Sequence, residues 1–289
     1  MEVYMLIQWF PGHMAKTKRL IEEHLKSVDV AAELLDARIP FSGANPMVEE
    51  LIGTKARIVI LNKADLADPV MTKKWEEYFR KKGASVVSIS CKDGKDRKKL
   101  LRIIREAALP VLTKWKSRGF KARSARVMIL GIPNVGKSTL INFIAGAAMT
   151  RTANTPGHTR GKQWVKLSDG LDLLDTPGVL WPKFEDQEAA LRLAATGAIA
   201  GDVFDAHSVV ISLLDALKKM APQVLMEKYK LKELSDEVEI LLEEIGRRRG
   251  CLLPGGVVDF ERTETLVLHD FRQGKLGRVT LDKVPEEKE

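Results

Sequence analysis

With two cysteines in 289 residues, Cys91 and Cys251, and no CxxC pair, the chain has neither a disulfide framework nor a thiolate zinc site to hold it together. No apolar run approaches the ~18 residues needed to cross a bilayer, and the short stretch 5–10 behind Glu2 does not make a signal peptide. Internal repeats are also lacking. These absences predict a soluble, cytoplasmic protein in a reducing compartment, with no membrane partner; a monomer is expected, though no absence dictates it. The length allows one large domain or two ordinary ones, and either buries a substantial core. Positive charge is in excess: 47 Lys and Arg against 39 Asp and Glu, a net +8. That balance favours a polyanionic partner, although a lysine-rich solvated surface gives the same number.

Periodicity organises the first two thirds of the chain. Leu20, Ile21, His24, Leu25 and Val28 recur at helical spacing behind the segment Trp9-Phe10-Pro11-Gly12-His13. Short apolar runs at 30–35, 57–61, 86–89, 127–130 and 171–174 read as buried parallel strands. Trp75, Tyr78 and Phe79 mark one intervening helix, and Leu100, Leu101, Ile104 and Ala108 another that is expected to stop at Pro110. Residues 138–145 make a third. The stretch 114–126 carries six Lys or Arg and no acid, and reads as a connector. Alternating strands and helices predict a doubly wound, mainly parallel α/β sheet. Beyond Trp181-Pro182 the pattern becomes helical, with candidates at 189–200, 209–220, 235–250 (Ser235 as N-cap, Gly250 closing the end) and 263–272. The expected division is therefore 1–185, an α/β domain with an N-terminal extension, and 186–289, a small α-helical domain with RNA-binding potential.

Between strand and helix lies Gly131-Ile132-Pro133-Asn134-Val135-Gly136-Lys137-Ser138, a phosphate loop. Its glycines let backbone N–H groups close around phosphates, and the helix N-terminus adds its dipole. Val135, Gly136 and Thr139 lie against the phosphates, Lys137 bridges the terminal ones, and Ser138 is positioned to hold Mg²⁺. Asp175-Thr176-Pro177-Gly178 follows a strand, which puts a carboxylate beside the metal and the Gly178 N–H near the γ-phosphate. Between these motifs Thr159 is the candidate to complete the Mg²⁺ shell, with Thr155 its nearest competitor. Asn62-Lys63-Ala64-Asp65 is a guanine-reading sequence. Asp65 can accept both N1–H and the exocyclic amine, Asn62 faces the opposite edge, and Lys63 packs along the base. Adenine would set a lone pair against that carboxylate, so ATP is excluded. Ser90-Cys91-Lys92 matches a base-supporting Ser-Ala-Lys loop with Cys in the middle.

In Ras-like GTPases the phosphate loop precedes the base-reading motif, whereas here it follows. The chain thus reads as a circularly permuted P-loop GTPase domain followed by a small α-helical domain, and it resembles the circularly permuted bacterial ribosome-assembly GTPases. The resemblance rests on Trp9 to Met14, Asp36-Ala37-Arg38-Ile39-Pro40, Asn45-Pro46-Met47, the phosphate loop, Asp175-Thr176-Pro177-Gly178 with Leu180-Trp181-Pro182, and Arg248-Arg249-Gly250-Cys251-Leu252. It implies GTP and GDP as ligands, a large-subunit precursor of rRNA and ribosomal proteins as partner, and hydrolysis linked to release. Val179 stands where Ras-like enzymes keep a water-orienting glutamine, so hydrolysis by the chain alone is expected to be slow. The resemblance suggests two substitutes for that glutamine. Asn134 matches the asparagine that helps hold K⁺ in potassium-dependent GTPases; its other reading is a turn residue bonded to its own backbone. His13 is the family's proposed water-orienting residue; otherwise it is a surface or RNA-contacting histidine. Arg247, Arg248 and Arg249 serve either as a helix C-terminal cap or as an rRNA contact. Three functions remain open: a ribosome-timed GTP hydrolase, a GTP-dependent RNA-binding assembly factor with negligible hydrolysis, and a tRNA-modification GTPase. The rotated order and the N-terminal segment speak against the last.

Overall fold

The structure, a computed structural model, describes residues 12–121, 123–146, 163–167, 170–176, 186–199 and 204–285. Its strands are β1 (Val30–Asp36), β2 (Ala56–Asn62), β3 (Ser85–Ser88), β4 (Ala125–Gly131), β5 (Gln163–Leu167) and β6 (Leu171–Asp175). They form one sheet in the order β3-β2-β1-β4-β6-β5, parallel except for β5 against β6. Helices α1 (Gly12–Leu25), α2 (Pro46–Ile52), α3 (Pro69–Lys81), α4 (Asp96–Ser117) and α5 (Lys137–Ala145) are interleaved with the strands. Successive side chains of a strand face opposite ways, which sorts the sheet into layers. Ala32, Leu34, Ile58 and Ile60 meet Leu100 and Ile104 of α4 on one face. Ala31, Met128 and Leu174 meet Ile21 and Leu25 of α1 on the other, where Val59 and Leu61 also meet Trp75 and Phe79 of α3 within their own cluster. Both faces are covered, and this explains the near-continuous apolar strands.

Strands β1, β2 and β3 run outward on one side, β4, β6 and β5 on the other, so the order reverses between β1 and β4. Ligands of open α/β sheets bind in the crevice outside the carboxyl ends of the strands at such a reversal. Asp36, Asn62, Gly131 and Asp175 all stand at carboxyl ends.

The helical part comprises α6 (Gln187–Thr196), α7 (Ala206–Met220), α8 (Pro222–Tyr229), α9 (Val238–Arg249) and α10 (Phe260–Arg272). Asp186, Asp205 and Asp259 cap α6, α7 and α10 through their carboxylates. After α10 the chain returns to the α/β part: Val279 N–H donates to the Leu66 carbonyl and Leu281 N–H to that of Arg38.

Several expectations need correction. Pro110 lies inside α4 and does not end it; it sits on an exposed face, where water can satisfy the carbonyl whose N–H partner proline lacks. The basic connector shrinks accordingly, because Lys114 and Lys116 belong to α4 and Arg126 to β4. Within it Arg123 is committed internally, forked onto Asp29 at 2.7 Å twice and stacked over Trp115. Helix α6 ends at Gly197, left-handed at φ 83°, before residue 200. Glu237, not Ser235, precedes α9; the Ser235 hydroxyl accepts from the Glu237 N–H one turn early. Elements α2, α8 and β5 were not foreseen.

Candidate functional site

The phosphate loop leaves β4 at Gly131 and enters α5 at Lys137, with Asn134 at φ 56° and Gly136 at φ 104°. A Cβ at Gly131 would stand 2.7 Å from the Leu34 carbonyl oxygen, and one at Gly136 would stand 2.6 Å from Asn62 Nδ2. Glycine is required at the first by the neighbouring strand and at the second by the base-reading loop. Ser138 and Thr139 occupy the first turn of α5 and are exposed.

Lys137 curls back over its own loop, Nζ donating to the carbonyls of Gly131 at 3.0 Å and Ile132 at 2.8 Å. Burial pushes its ammonium down to about 8, and the Asp175 carboxylate offsets this in part. An anionic phosphate would favour the charged form again, so nucleotide binding above pH ~8 should take up a proton. GDP affinity is therefore expected to be flat below pH 8 and to fall above it by at most about ten-fold per unit. Lys137→Ala should abolish the slope. Calorimetric titrations in buffers of different ionisation heat would show the uptake, and a flat profile with no uptake would show that Lys137 does not meet the phosphates.

Asn62 ends β2, buried, and its Nδ2 donates to the Val135 carbonyl at 2.9 Å, while Oδ1 is buried without a partner. Lys63, left-handed at φ 57°, reaches the Asn134 carbonyl at 3.3 Å and the Asp36 carboxylate at 2.9 Å. Thus loops 71 and 73 residues apart are joined by side chains of the base-reading motif. The Ala64 N–H donates to Ile89, next to the Ser90-Cys91-Lys92 loop. Asp65 is exposed, 3.5 Å from Lys92 Nζ. Ser90 accepts from the Lys92 N–H, and its own N–H donates to Asp96. Burial, with the charges of Asp65 and Asp96, pushes the Cys91 thiol up to about 11, so it stays neutral and serves as a small packing residue.

Asp175 ends β6 beside Ile129 of β4, and the next residue, Thr176, donates its hydroxyl to the Ile129 carbonyl. Ser138 and Asp175 offer a hydroxyl and a carboxylate, hard oxygen donors of the kind Mg²⁺ takes alongside phosphate oxygens and water. Asn134 donates its amide nitrogen to the Gly197 carbonyl at 2.8 Å; its side chain is bonded to the helical part and not to its own loop. Thr155, Thr159, Gly178 and Val179 lie outside the described residues. His13 falls in the first turn of α1 in place of a separate N-terminal segment, because no breaker separates it from the helix-forming residues that follow; its side chain lies outside the described set.

Arg247, Arg248 and Arg249 are exposed in the last turn of α9, with Arg247 paired to Glu243 and Gly250 closing the helix at φ 68°. In the basic run 95–105, Arg97 donates to the Phe143 and Ile144 carbonyls and caps α5. Sequence reasoning missed Arg278, Thr280 and Asp282, each of which has a partner more than two hundred residues away.

The sheet order, the phosphate loop at the strand reversal and the base-reading loop joined to it define an α/β P-loop GTPase whose element order is circularly permuted. Residues 126–247 match the family described as 50S ribosome-binding GTPase. Ribosome biogenesis GTPase A of Bacillus cereus is 46% identical over 98% of this chain and 95% of that protein, and that of Thermotoga maritima 34% over 97% and 95%. The GDP-bound structure of TM YlqF superposes with a TM-score of 0.66 at 32% identity, covering 92% of this chain and 99% of that one. GNP-bound YlqF from T. maritima gives 0.64 at 31%, covering 93% and 98%. The chain belongs to the ribosome biogenesis GTPase A family and is a ribosome-assembly GTPase. Among the described residues no helix is long and apolar enough to cross a membrane.

Proposed function

We propose that this chain binds a precursor of the large ribosomal subunit in its GTP form, late in assembly, and hydrolyses GTP slowly until that particle stimulates it. It acts as a cytoplasmic monomer. The observation that carries the reading is the pair of bonds from Asn62 and Lys63 to the carbonyls of Val135 and Asn134, which gives one ligand a base end and a phosphate end. Asp65 would read N1–H and the exocyclic amine, Ser90 and Cys91 would support the base, and Val135, Gly136, Lys137, Ser138, Thr139 and Gly178 would hold the phosphates. Mg²⁺, held by Ser138, Asp175 and Thr159, would neutralise charge on the β- and γ-phosphates.

Sedimentation with ribosomal particles in GDP and in a non-hydrolysable GTP analogue tests the reading. Triphosphate-selective association with immature large subunits is the expected result, and equal association in both nucleotides would sink it. Multiple-turnover phosphate release that large subunits leave unchanged would point instead to an RNA-binding factor with negligible hydrolysis. The exposed Arg247, Arg248 and Arg249 are assigned to rRNA, with affinity falling as salt rises by about 0.7 to 0.9 log units per log unit for each phosphate neutralised.

Two groups would replace the missing glutamine. His13→Ala should lower stimulated turnover by about 10²- to 10⁴-fold, the range for a positioned proton-handling group, with GTP affinity nearly unchanged. A loss of affinity instead would mean a structural role. Asn134 would present its side-chain oxygen to K⁺, which would act electrostatically as an arginine finger does. Equal stimulated rates in KCl and NaCl would remove that role.

A further inference from the structure

The loop that carries Asp65 obtains many of its hydrogen bonds from the far end of the chain. Within it, Leu66 N–H returns to the Lys63 carbonyl, and Ala64 N–H goes to Ile89. Four further groups face the segment after α10. Arg278 NH2 donates to the Ala64 carbonyl at 3.0 Å, and its Nε donates to the Ala67 carbonyl at 3.0 Å. The Val279 N–H donates to the Leu66 carbonyl at 3.1 Å, and Thr280 Oγ1 accepts from the Asp68 N–H at 3.2 Å. Gly274 lies so close that a Cβ there would stand 2.5 Å from Leu66 Cδ2. The segment is anchored in turn by Asp282, fully buried, which accepts from the N–H groups of Phe41 and Ser42, from the Ser42 hydroxyl and from Arg192 of α6.

We infer that Arg278 is a positioning residue for guanine recognition: its planar fork spans the carbonyls on either side of Asp65 and Leu66 and holds the carboxylate where the base's N1–H and amine arrive. A guanidinium fits because it has several donors in one rigid plane; an ammonium is a point on a flexible stem and does not fix two carbonyls in one plane at the spacing that Nε and NH2 set. The segment after α10 thereby acts on base recognition through the backbone of the Asp65 loop. This inference rests on the assignment of Asp65 as the base reader.

The test compares GDP with inosine diphosphate, which keeps N1–H and lacks the exocyclic amine, on the full-length chain. Wild type should prefer GDP. In Arg278→Ala the GDP affinity should fall about ten-fold and the inosine diphosphate affinity about three-fold, so that the preference shrinks about three-fold, as when a hydrogen-bonded loop loses its register. Arg278→Lys should resemble alanine. The Arg278 side chain reaches the surface, so thermal melting should confirm that both variants fold. An equal loss for both nucleotides would reduce Arg278 to a structural residue and overturn the inference, as would full restoration by lysine. If wild type itself binds the two equally, the reading of Asp65 fails first, and the two failures are told apart by that control.

Discussion

Asp65→Asn should lower GDP and GTP affinity by about 10²- to 10⁴-fold, since hydrogen bonds to a charged acceptor contribute roughly 1.5 to 3 kcal/mol each and two are disturbed. In the proposed reading the carboxylate accepts from both N1–H and the exocyclic amine of guanine. Asparagine keeps one acceptor and turns a donor toward the amine, so one contact becomes repulsive. Xanthine carries an oxygen where guanine carries the amine, and the same asparagine can donate to it. The variant should therefore gain affinity for xanthosine diphosphate while losing it for GDP. Asp65 is exposed and its ion pair with Lys92 is 3.5 Å long, so the fold should lose almost nothing. Equilibrium titration with both nucleotides provides the measurement. An Asp65→Asn protein that holds GDP within about three-fold of wild type would remove Asp65 from the base pocket.

That the site was legible at all follows from what phosphates and guanine demand. A phosphate loop needs glycines where its backbone turns inward and a guanine reader needs a carboxylate, so residue types recur at fixed spacing wherever the chain is cut; here Gly131 also has no room beside the Leu34 carbonyl, nor Gly136 beside Asn62. Strands β1, β2 and β4 were equally readable because sheet faces covered on both sides leave uninterrupted apolar runs. Strand β5 carries Gln163 and Lys166 at the sheet's antiparallel edge and gives no such signal. Helices α2 and α8 are too short for periodicity; each begins at a proline, and α2 is held further by Asn45, whose side chain accepts from the Met47 N–H. Pro110 misled because a helix can keep a proline where its freed carbonyl meets water. Net charge does not say which cations are committed internally: Arg97, Arg123 and Arg278 are bound to carbonyls or to Asp29 within the molecule. No local pattern announces Arg278, since its partners are backbone oxygens 211 and 214 residues away.

Asp36→Ala should cost about 3 to 5 kcal/mol of stability, the range for removing one partner of a buried ion pair. Asp36 and Arg38 are both fully buried, and the carboxylate accepts from Arg38 Nε at 3.0 Å, NH2 at 2.8 Å and the Arg38 N–H at 3.0 Å. Without it the guanidinium keeps the Phe271 carbonyl and the Phe271 ring, too little to offset burial of its charge. Burial alone would raise the Asp36 carboxyl, but the charges of Arg38 and Lys63 overcome it and hold the group well below its ordinary range. A carboxyl depressed in the folded state contributes stability that is present above its unfolded value near ~4 and is lost as pH falls through the folded one. Wild type should thus lose stability on acidification below about pH 4 more steeply than Asp36→Ala. Replacing both partners, as in Asp36→Ala with Arg38→Met, should recover much of the loss, because apolar groups bear burial better than a lone charge. Denaturant unfolding supplies these numbers; a single-variant cost under about 1 kcal/mol would mean that water already reaches the pair. Lys63 shares the carboxylate at 2.9 Å while contacting the Asn134 carbonyl, so the same substitution should weaken GDP binding as well. Arg38→Met alone keeps the Lys63 contact and should spare GDP affinity while still destabilising the fold. The difference between the two single variants would separate the part Asp36 plays in holding Arg38, which bonds to Phe271 of α10, from the part it plays in holding Lys63.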